Sequence, residues 1–290
     1  MNRISLKAMA KINLGLDVVG KRPDGYHELR MVMQMINLYD KVNIEKTPKN
    51  GIQVETNLSF LPVNENNIVY KAAKLLMDEF HIQDGVKISL EKHIPVAAGM
   101  AGGSSDGAAV LFGMNRLFNL RLSKRELMAR GVRLGADVPY CLLRTTALSE
   151  GIGEILTTLK PMPDCTIVVA KPAVSVSTKT VFGKLKLDEI RQHPDIDAIV
   201  RAINDGDLGA IADHMGNVLE TVTIRDYPVI GEIKELMKTM GARGALMSGS
   251  GPTVFGIFDD EATAKNVWSA LKNGSLARQV FLTRPVNVSQ

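Results

Sequence analysis

The sequence predicts a two-domain α+β protein, and three observations carry the prediction. Its 290 residues exceed the roughly 100 to 200 that one domain usually takes. The Pro161-Met-Pro-Asp164 punctuation separates two stretches that each mix strand-like and helix-like patterns. Each stretch also holds a glycine loop next to an apolar run, one at 95–105 and one at 247–255. The domains are read as residues 1–161 and 162–290.

The elements follow in order. Residues 8–19 have strand character, which puts Lys11 and Asn13, two apart, on one face. A cation and an amide side by side can hold an anion and a hydroxyl. The turn Pro23-Asp-Gly25, with proline placed to start it and glycine to reverse the chain, presents Tyr26 and His27 at a loop tip. Apolar positions 68, 69, 72, 75, 76 and 80 mark an amphipathic helix, and Asn66 or Asn67 stands where its N-cap belongs. Val86, Ile88 and Leu90 alternate as a half-buried strand does, and 108–118 is an apolar run long enough for a buried helix. Ser123 and Glu126 form a capping box opening the next helix.

In Gly135-Ala-Asp-Val-Pro139, Gly135 suits the end of a helix and Pro139 turns Val138 away from the helical region, so Asp137 falls at a helix end or tight turn. A carboxylate held there could act as a general base or simply cap a helix. Past the punctuation, 165–170 is a buried-type strand, followed by helix-like segments at 195–221, 228–240 and 261–271. Between the last two lies the second glycine loop, with Gly249, Ser250 and Gly251, leading into an apolar strand.

The loop of Pro95, Val96, Ala97, Ala98, Gly99, Met100, Ala101, Gly102, Gly103, Ser104 and Ser105 reads as a phosphate cradle. It feeds a helix N-terminus, where unpaired N–H groups and aligned peptide dipoles favour negative charge. Gly99, Gly102 and Gly103 keep side chains out of an anion's way, and Ser104 and Ser105 can add hydroxyl donors. It is not a Walker A loop, because no lysine precedes Ser104, and the kinase signatures V-A-I-K, H-R-D and D-F-G do not occur.

Bulk properties agree with a soluble enzyme. No apolar stretch approaches the roughly 20 residues that span a bilayer, and because residues 1–5 lead directly into a strand no signal or transit peptide is expected. Cys141 and Cys165 lack metal-ligand spacing, which fits a reducing cytoplasm. The formal net charge of +4 is mild, and no Lys/Arg run carries interleaved aromatics, so nucleic-acid binding is the weaker reading. His81, His93, His193 and His214 have no paired spacing and read as solvated or structural.

The order A-K-I-N-L, P-x-x-A-G-x-x-G-G-S-S, G-A-D-V-P, S-G-S-G-P resembles the GHMP kinases, small-molecule kinases named for galactose, homoserine, mevalonate and phosphomevalonate. The resemblance spans most of the chain. It implies a first half like the second domain of ribosomal protein S5, a ferredoxin-like second half, and ATP and substrate in a cleft between them. The segment Arg22-Pro-Asp-Gly-Tyr-His-Glu28 resembles the members that phosphorylate a tertiary hydroxyl on a cytidine-diphosphate-linked methylerythritol in the non-mevalonate isoprenoid route.

By resemblance, Asp137 is the base and Lys11 the cation that orients it. The loop 95–105 takes the phosphates of ATP, accompanied by Mg²⁺, and Asn66, Asn67 and Lys92 lie near adenine or ribose. Tyr26 and Phe182 face the two sides of cytosine, His27 reads its edge, and Asn13 and Thr178 are polar neighbours of the substrate. The metal's protein ligands are unknown. A monomer or weak homodimer in the cytoplasm, acting on a small molecule and touching neither nucleic acid nor membrane, is expected. The rivals are another GHMP kinase, which should not need Tyr26 and His27 at a turn, and a non-enzymatic RNA-binding protein. Relatives commonly carry glycine soon after D-V-P, where this chain has Arg144.

Overall fold

The computed structural model describes residues 1–287. The chain groups into two compact units, one of Met1–Ala10, Leu38–Val96 and Ala101–Arg144, the other of Lys11–Asn37, Ala97–Met100 and Thr145 onward. The units interleave in sequence because strands β1 (Arg3–Lys21) and β2 (His27–Thr47) are long enough to serve both.

In the first unit these strands are followed by β3 (Ile52–Thr56), α1 (Ile68–Glu79), β4 (Gly85–Glu91), α2 (Gly102–Leu117), α3 (Lys124–Val132) and α4 (Val138–Leu143). Its strand order is β3-β4-β2-β1, with β4 antiparallel to β2 and parallel to β3. Val86, Ile88 and Leu90 are buried, as their alternation predicts. Helix α1 buries Val69, Ala72, Ala73, Leu76 and Met77, the apolar face of a 3.6-residue repeat. Helix α2 lies directly on strands: a Cβ on Gly113 would stand 2.5 Å from Ile44 Cδ1 and 2.9 Å from Leu6 Cδ1. Both bonds of the Ser123–Glu126 capping box are present.

The second unit continues with β5 (Ala147–Gly151), β6 (Ile155–Thr158), β7 (Thr166–Lys171), α5 (Thr178–Lys184), α6 (Ile196–Asp205), α7 (Leu208–His214), β8 (Gly216–Asn217), α8 (Glu220–Asp226), α9 (Val229–Thr239), β9 (Gly244–Met247), β10 (Val254–Phe258), α10 (Glu261–Asn273) and β11 (Gln279–Thr283). The order β11-β7-β10-β9 places the four strands as fourth, first, third, second, all antiparallel, which is the ferredoxin-like arrangement. Within the same unit β8 pairs parallel with β1, β5 antiparallel with β2, and β6 with β5.

The helix-like reading of 195–221 is corrected to α6, α7, β8 and the start of α8. Gly206, at φ 73°, ends α6 in the left-handed conformation, and Asp207 caps α7 by accepting from Ala210 N at 3.0 Å. Gly216 then enters β8, where a Cβ would meet Pro194 Cβ at 2.8 Å.

Candidate active site

Chain direction decides the first feature of the site. The loop 95–105 feeds α2, as expected, and Ala101 at its N-cap position makes no side-chain cap hydrogen bond. The first N–H groups of α2 are therefore left without a side-chain partner, the condition for anion binding at a helix terminus. Ala97, Gly99 and Ala101 all have positive φ (50°, 72° and 55°). Two alanines held in the left-handed region cost of order 1–2 kcal/mol each, so the loop's shape is imposed by its surroundings.

Those surroundings correct the reason for two glycines. A Cβ on Gly99 would lie 2.1 Å from the carbonyl oxygen of Ser248, and one on Gly102 would lie 3.0 Å from Ile94 Cγ2. Both positions are closed by the protein itself. Only Gly103 is open, its nearest neighbour being Ile68 Cγ2 at 3.9 Å. Ser105 is corrected too: its buried hydroxyl donates to Met9 O at 2.6 Å, so it fastens α2 to β1 and offers nothing to an anion. Ser104 is half-buried, and its Oγ lies 3.9 Å from where a Cβ on Gly135 would sit, which brings the first turn of α2 beside the turn that carries Asp137.

The second glycine loop clasps the first. Ser248 Oγ donates to Gly99 O at 2.9 Å, and a Cβ on Gly249 would stand 3.1 Å from that same oxygen. One residue on, Ser250 Oγ and Thr178 Oγ1 share a hydrogen bond of 2.8 Å, which joins the loop to the start of α5. Phe182, four residues along α5, packs its ring against His27 with centroids 5.1 Å apart. A continuous run of contacts thus links Gly99 to the aromatic pair.

Tyr26 and His27 stand where the turn places them. Gly25 N donates to Arg22 O at 3.0 Å, Arg22 N to Tyr26 O at 2.8 Å, and Tyr26 N to Asp24 Oδ1 at 3.1 Å, closing the β1–β2 hairpin. Tyr26 is 61 % exposed at the hairpin tip. Burial, helped by Lys21, lowers the pKa of His27, so its imidazole is neutral near pH 7 and can both donate and accept.

Lys11 and Asn13 share one face of β1, and Lys11 Nζ donates to Asn13 Oδ1 at 2.6 Å. Lys11 is 4 % exposed, and among the described residues its ammonium has no ion-pair partner. A buried cation satisfied only by an amide is poised for an incoming anion. Its N–H donates to Met100 O at 3.1 Å, tying β1 to the loop 95–105.

Asp137 occupies the N-cap position of α4, yet its carboxylate makes no capping bond. The alternative role as a structural cap is thereby removed. Pro139 opens this helix instead of ending one, since a first-turn proline sacrifices no intrahelical hydrogen bond, and Val138 is helical. Arg144 closes α4 at φ 62°, the left-handed position that glycine fills without steric cost.

Asn67 is the cap of α1: its Oδ1 accepts from Val69 N at 3.1 Å and its Nδ2 donates to Pro62 O at 2.7 Å. Asn66 is exposed beside it. Lys92 is placed differently from the nucleotide contact expected of it. Its ammonium is buried between Asp40 and Asp106, 3.6 Å from where a Cβ on Gly102 would be. A cation at a helix N-terminus opposes the macrodipole, and its hydrogen bonds to Asp40 and Asp106 offset that cost. Burial works against the charge of Lys92, but Asp106 and Asp40 hold its pKa above the lysine range. Burial, opposed by Lys92 and reinforced by Asp40, pushes Asp106 from its ordinary 3.8 up to about 7. Its buried Oδ1 has no hydrogen-bond partner. Asp40, Asp106 and Asn217, which donates to Met247 O and Gly249 O, were not among the sequence candidates. Asp106 directly after the serine pair was the one visible sign.

Residues 67–145 match the GHMP kinases N terminal domain and residues 197–275 the GHMP kinases C terminal. The 4-diphosphocytidyl-2-C-methyl-D-erythritol kinase of Lachnoclostridium phytofermentans is 59% identical over 284 residues, covering 98% of this chain and 98% of that protein. A crystal structure of 4-(cytidine 5'-diphospho)-2C-methyl-D-erythritol kinase superposes with TM-score 0.83 at 33% identity, covering 97% of this chain and 99% of the other. Homoserine kinase from Cytophaga hutchinsonii, TM-score 0.80 at 20% identity over 99% and 95% of the two chains, shares the fold. No helix among the described residues is long and apolar enough to cross a membrane. The chain belongs to the GHMP kinase family, among its 4-diphosphocytidyl-2-C-methyl-D-erythritol kinases.

Proposed function

We propose that this chain transfers the γ-phosphoryl group of ATP to the 2-hydroxyl of 4-diphosphocytidyl-2-C-methyl-D-erythritol, giving the 2-phosphate and ADP in the non-mevalonate route to isoprenoid precursors. Its relatives at high identity bear that kinase's name. The observation that carries the reading is the unbroken run from Gly99 through Ser248, Ser250, Thr178 and Phe182 to His27, which ties a phosphate loop to a pair of rings suited to a nucleobase.

The loop 95–105 and the N–H groups of α2 take the phosphates, with Gly103 as the point of closest approach. Gly249, Ser250 and Gly251 back that loop. Mg²⁺ enters as part of the MgATP substrate. Among the described residues no group of three His, Cys, Asp or Glu side chains could hold a metal, and magnesium commonly sits on phosphates and water with one or two carboxylates. Asn66 and Asn67 border the nucleoside, whereas Lys92 supports the loop from beneath through Asp106.

Tyr26 and Phe182 flank the cytosine. Neutral His27 then meets the hydrogen-bonding edge. Asn13 and Thr178 hold polar groups of the substrate. Asp137 takes the proton of the 2-hydroxyl, a general-base role worth about 10²- to 10⁴-fold in rate. Lys11 stabilises the charge that develops as the alkoxide attacks the phosphorus, and alignment with electrostatics supplies the remainder.

We read residues 1–161 as the ATP-binding and catalytic part and 162–290 as the C-terminal part. Both cysteines are buried and neither is in a disulfide, which suits a reducing cytoplasm. The enzyme works as a monomer or weak homodimer, without nucleic acid or membrane. Phosphorus NMR of the product tests the assignment. A tertiary carbinol carries no hydrogen, so the new phosphomonoester should show no proton splitting; a split resonance would mean phosphorylation at another hydroxyl.

A further inference from the structure

The second glycine loop is closed by two bonds of its own, Gly251 N donating to Ser248 O at 3.0 Å and Ser248 N to Thr253 O at 2.9 Å, and it needs a third anchor to hold Met247 O and Gly249 O. Gly249 and Gly251 have φ of 58° and 86°, a shape that few other residues would adopt. Asn217, 6 % exposed on the two-residue strand β8, fixes it. Its Nδ2 donates one hydrogen to Met247 O at 2.9 Å and the other to Gly249 O at 2.8 Å, while its Oδ1 accepts from Leu219 N at 3.0 Å. Every principal bond the amide can make is used, and its own backbone is held in register with Leu16 of β1. The two carbonyls bracket Ser248, the residue whose hydroxyl grips Gly99. A small rotation of the bracket would move Ser248 O against Gly99, where there is no slack: a Cβ there would already lie 2.1 Å away.

We propose that Asn217 is a positioning residue for the nucleotide phosphates, acting through Ser248 to fix the peptide at Gly99. The inference rests on the kinase reading, and it gives the β8 segment a purpose its length does not suggest. Asn217 touches no substrate; it sets the geometry of the loop that does.

The test measures binding of a non-hydrolysable MgATP analogue and of the cytidyl alcohol separately, by calorimetry, for wild type, Asn217→Ser, Ser248→Ala and the double variant. Losing one or two hydrogen bonds to carbonyls should weaken the analogue by about tenfold in each single variant and leave the cytidyl alcohol within about twofold. Because both residues act in one chain of contacts, the double variant should be no weaker than about the worse single one, a non-additivity that general destabilisation does not produce. Equal weakening of both ligands, unchanged analogue binding, or losses that multiply in the double variant would each overturn the proposal. If Asn217→Ser does not fold, Ser248→Ala decides alone: it must reproduce the selective loss. Wild type that binds no nucleotide would sink the kinase reading and this inference with it, whereas wild-type binding with unaffected variants sinks the inference only.

Discussion

Replacing Gly103 by alanine separates the loop's work on phosphate from its packing. Gly103 is exposed, lies in the first turn of α2 without positive φ, and offers a new methyl only one neighbour, Ile68 Cγ2 at an ordinary 3.9 Å. Alanine is the better helix former by up to about 1 kcal/mol, so Gly103→Ala should be at least as stable as wild type. A phosphate oxygen hydrogen-bonded to the first N–H groups of α2 would instead meet that methyl. Losing one charged hydrogen bond costs about 1.5 to 3 kcal/mol, or roughly 10- to 150-fold in Kd.

Gly99→Ala makes the contrast. Its Cβ would enter Ser248 O and take up φ of 72°, so the variant should lose roughly 2 to 4 kcal/mol of stability together with nucleotide affinity. Denaturant unfolding and titration with a MgATP analogue read both quantities. If Gly103→Ala bound the analogue as tightly as wild type, the phosphates would not approach the terminus of α2, and the cradle argument would fail.

The remaining expectations are as direct. Asp137→Asn should lower kcat at least about 10²-fold while leaving the melting midpoint in place, because its carboxylate carries no capping bond; near-normal turnover would remove Asp137 as the base. Tyr26→Ala should raise the KM for the cytidyl alcohol roughly 5- to 150-fold, the equivalent of about 1 to 3 kcal/mol of lost stacking, without moving the KM for ATP, and equal effects on both would take Tyr26 out of the cytosine site. Arg144→Gly should stabilise the fold by about 1 kcal/mol by relieving a left-handed arginine, checked by urea midpoint, and a destabilised variant would mean that the side chain matters more than the backbone. Asp106, raised from 3.8 to about 7, keeps a proton in the folded state that the unfolded chain gives up. Stability from it is full below the unfolded value and falls as pH rises through that window. Asp106→Asn should lack this fall between about pH 4 and 7, and parallel profiles for the two proteins would contradict it.

What could be read from the sequence was what neighbouring residues decide together. The cap at Asn67, the box at Ser123 and Glu126, the Arg22–Gly25 turn and the alternation of Val86, Ile88 and Leu90 are all local, and each took the form expected. That the glycine loop 95–105 feeds a helix N-terminus was legible for the same reason. The cause of its glycines was not, because Gly99 is closed by Ser248, 149 residues away, and only the folded chain brings them together.

Ser105 and Lys92 show the same limit. A serine after two glycines suggests a phosphate donor, but β1 lies close enough to take its hydroxyl. A lysine ending a strand suggests a ligand contact until Asp40 and Asp106 enclose it. Proline in the D-V-P motif pointed toward a helix end because a preceding residue usually avoids helical φ and ψ; the first turn of a helix is where that rule gives way. Asn217 carried no local signal, since its importance lies wholly in two carbonyls thirty and thirty-two positions on.

The most direct test of the central claim is a coupled ADP-release assay with MgATP, offering 4-diphosphocytidyl-2-C-methyl-D-erythritol, homoserine, mevalonate and galactose in turn. The account predicts turnover with the cytidyl alcohol and background release with the other three. Turnover with one of the others at a comparable kcat/KM, or none with the cytidyl alcohol, would contradict it.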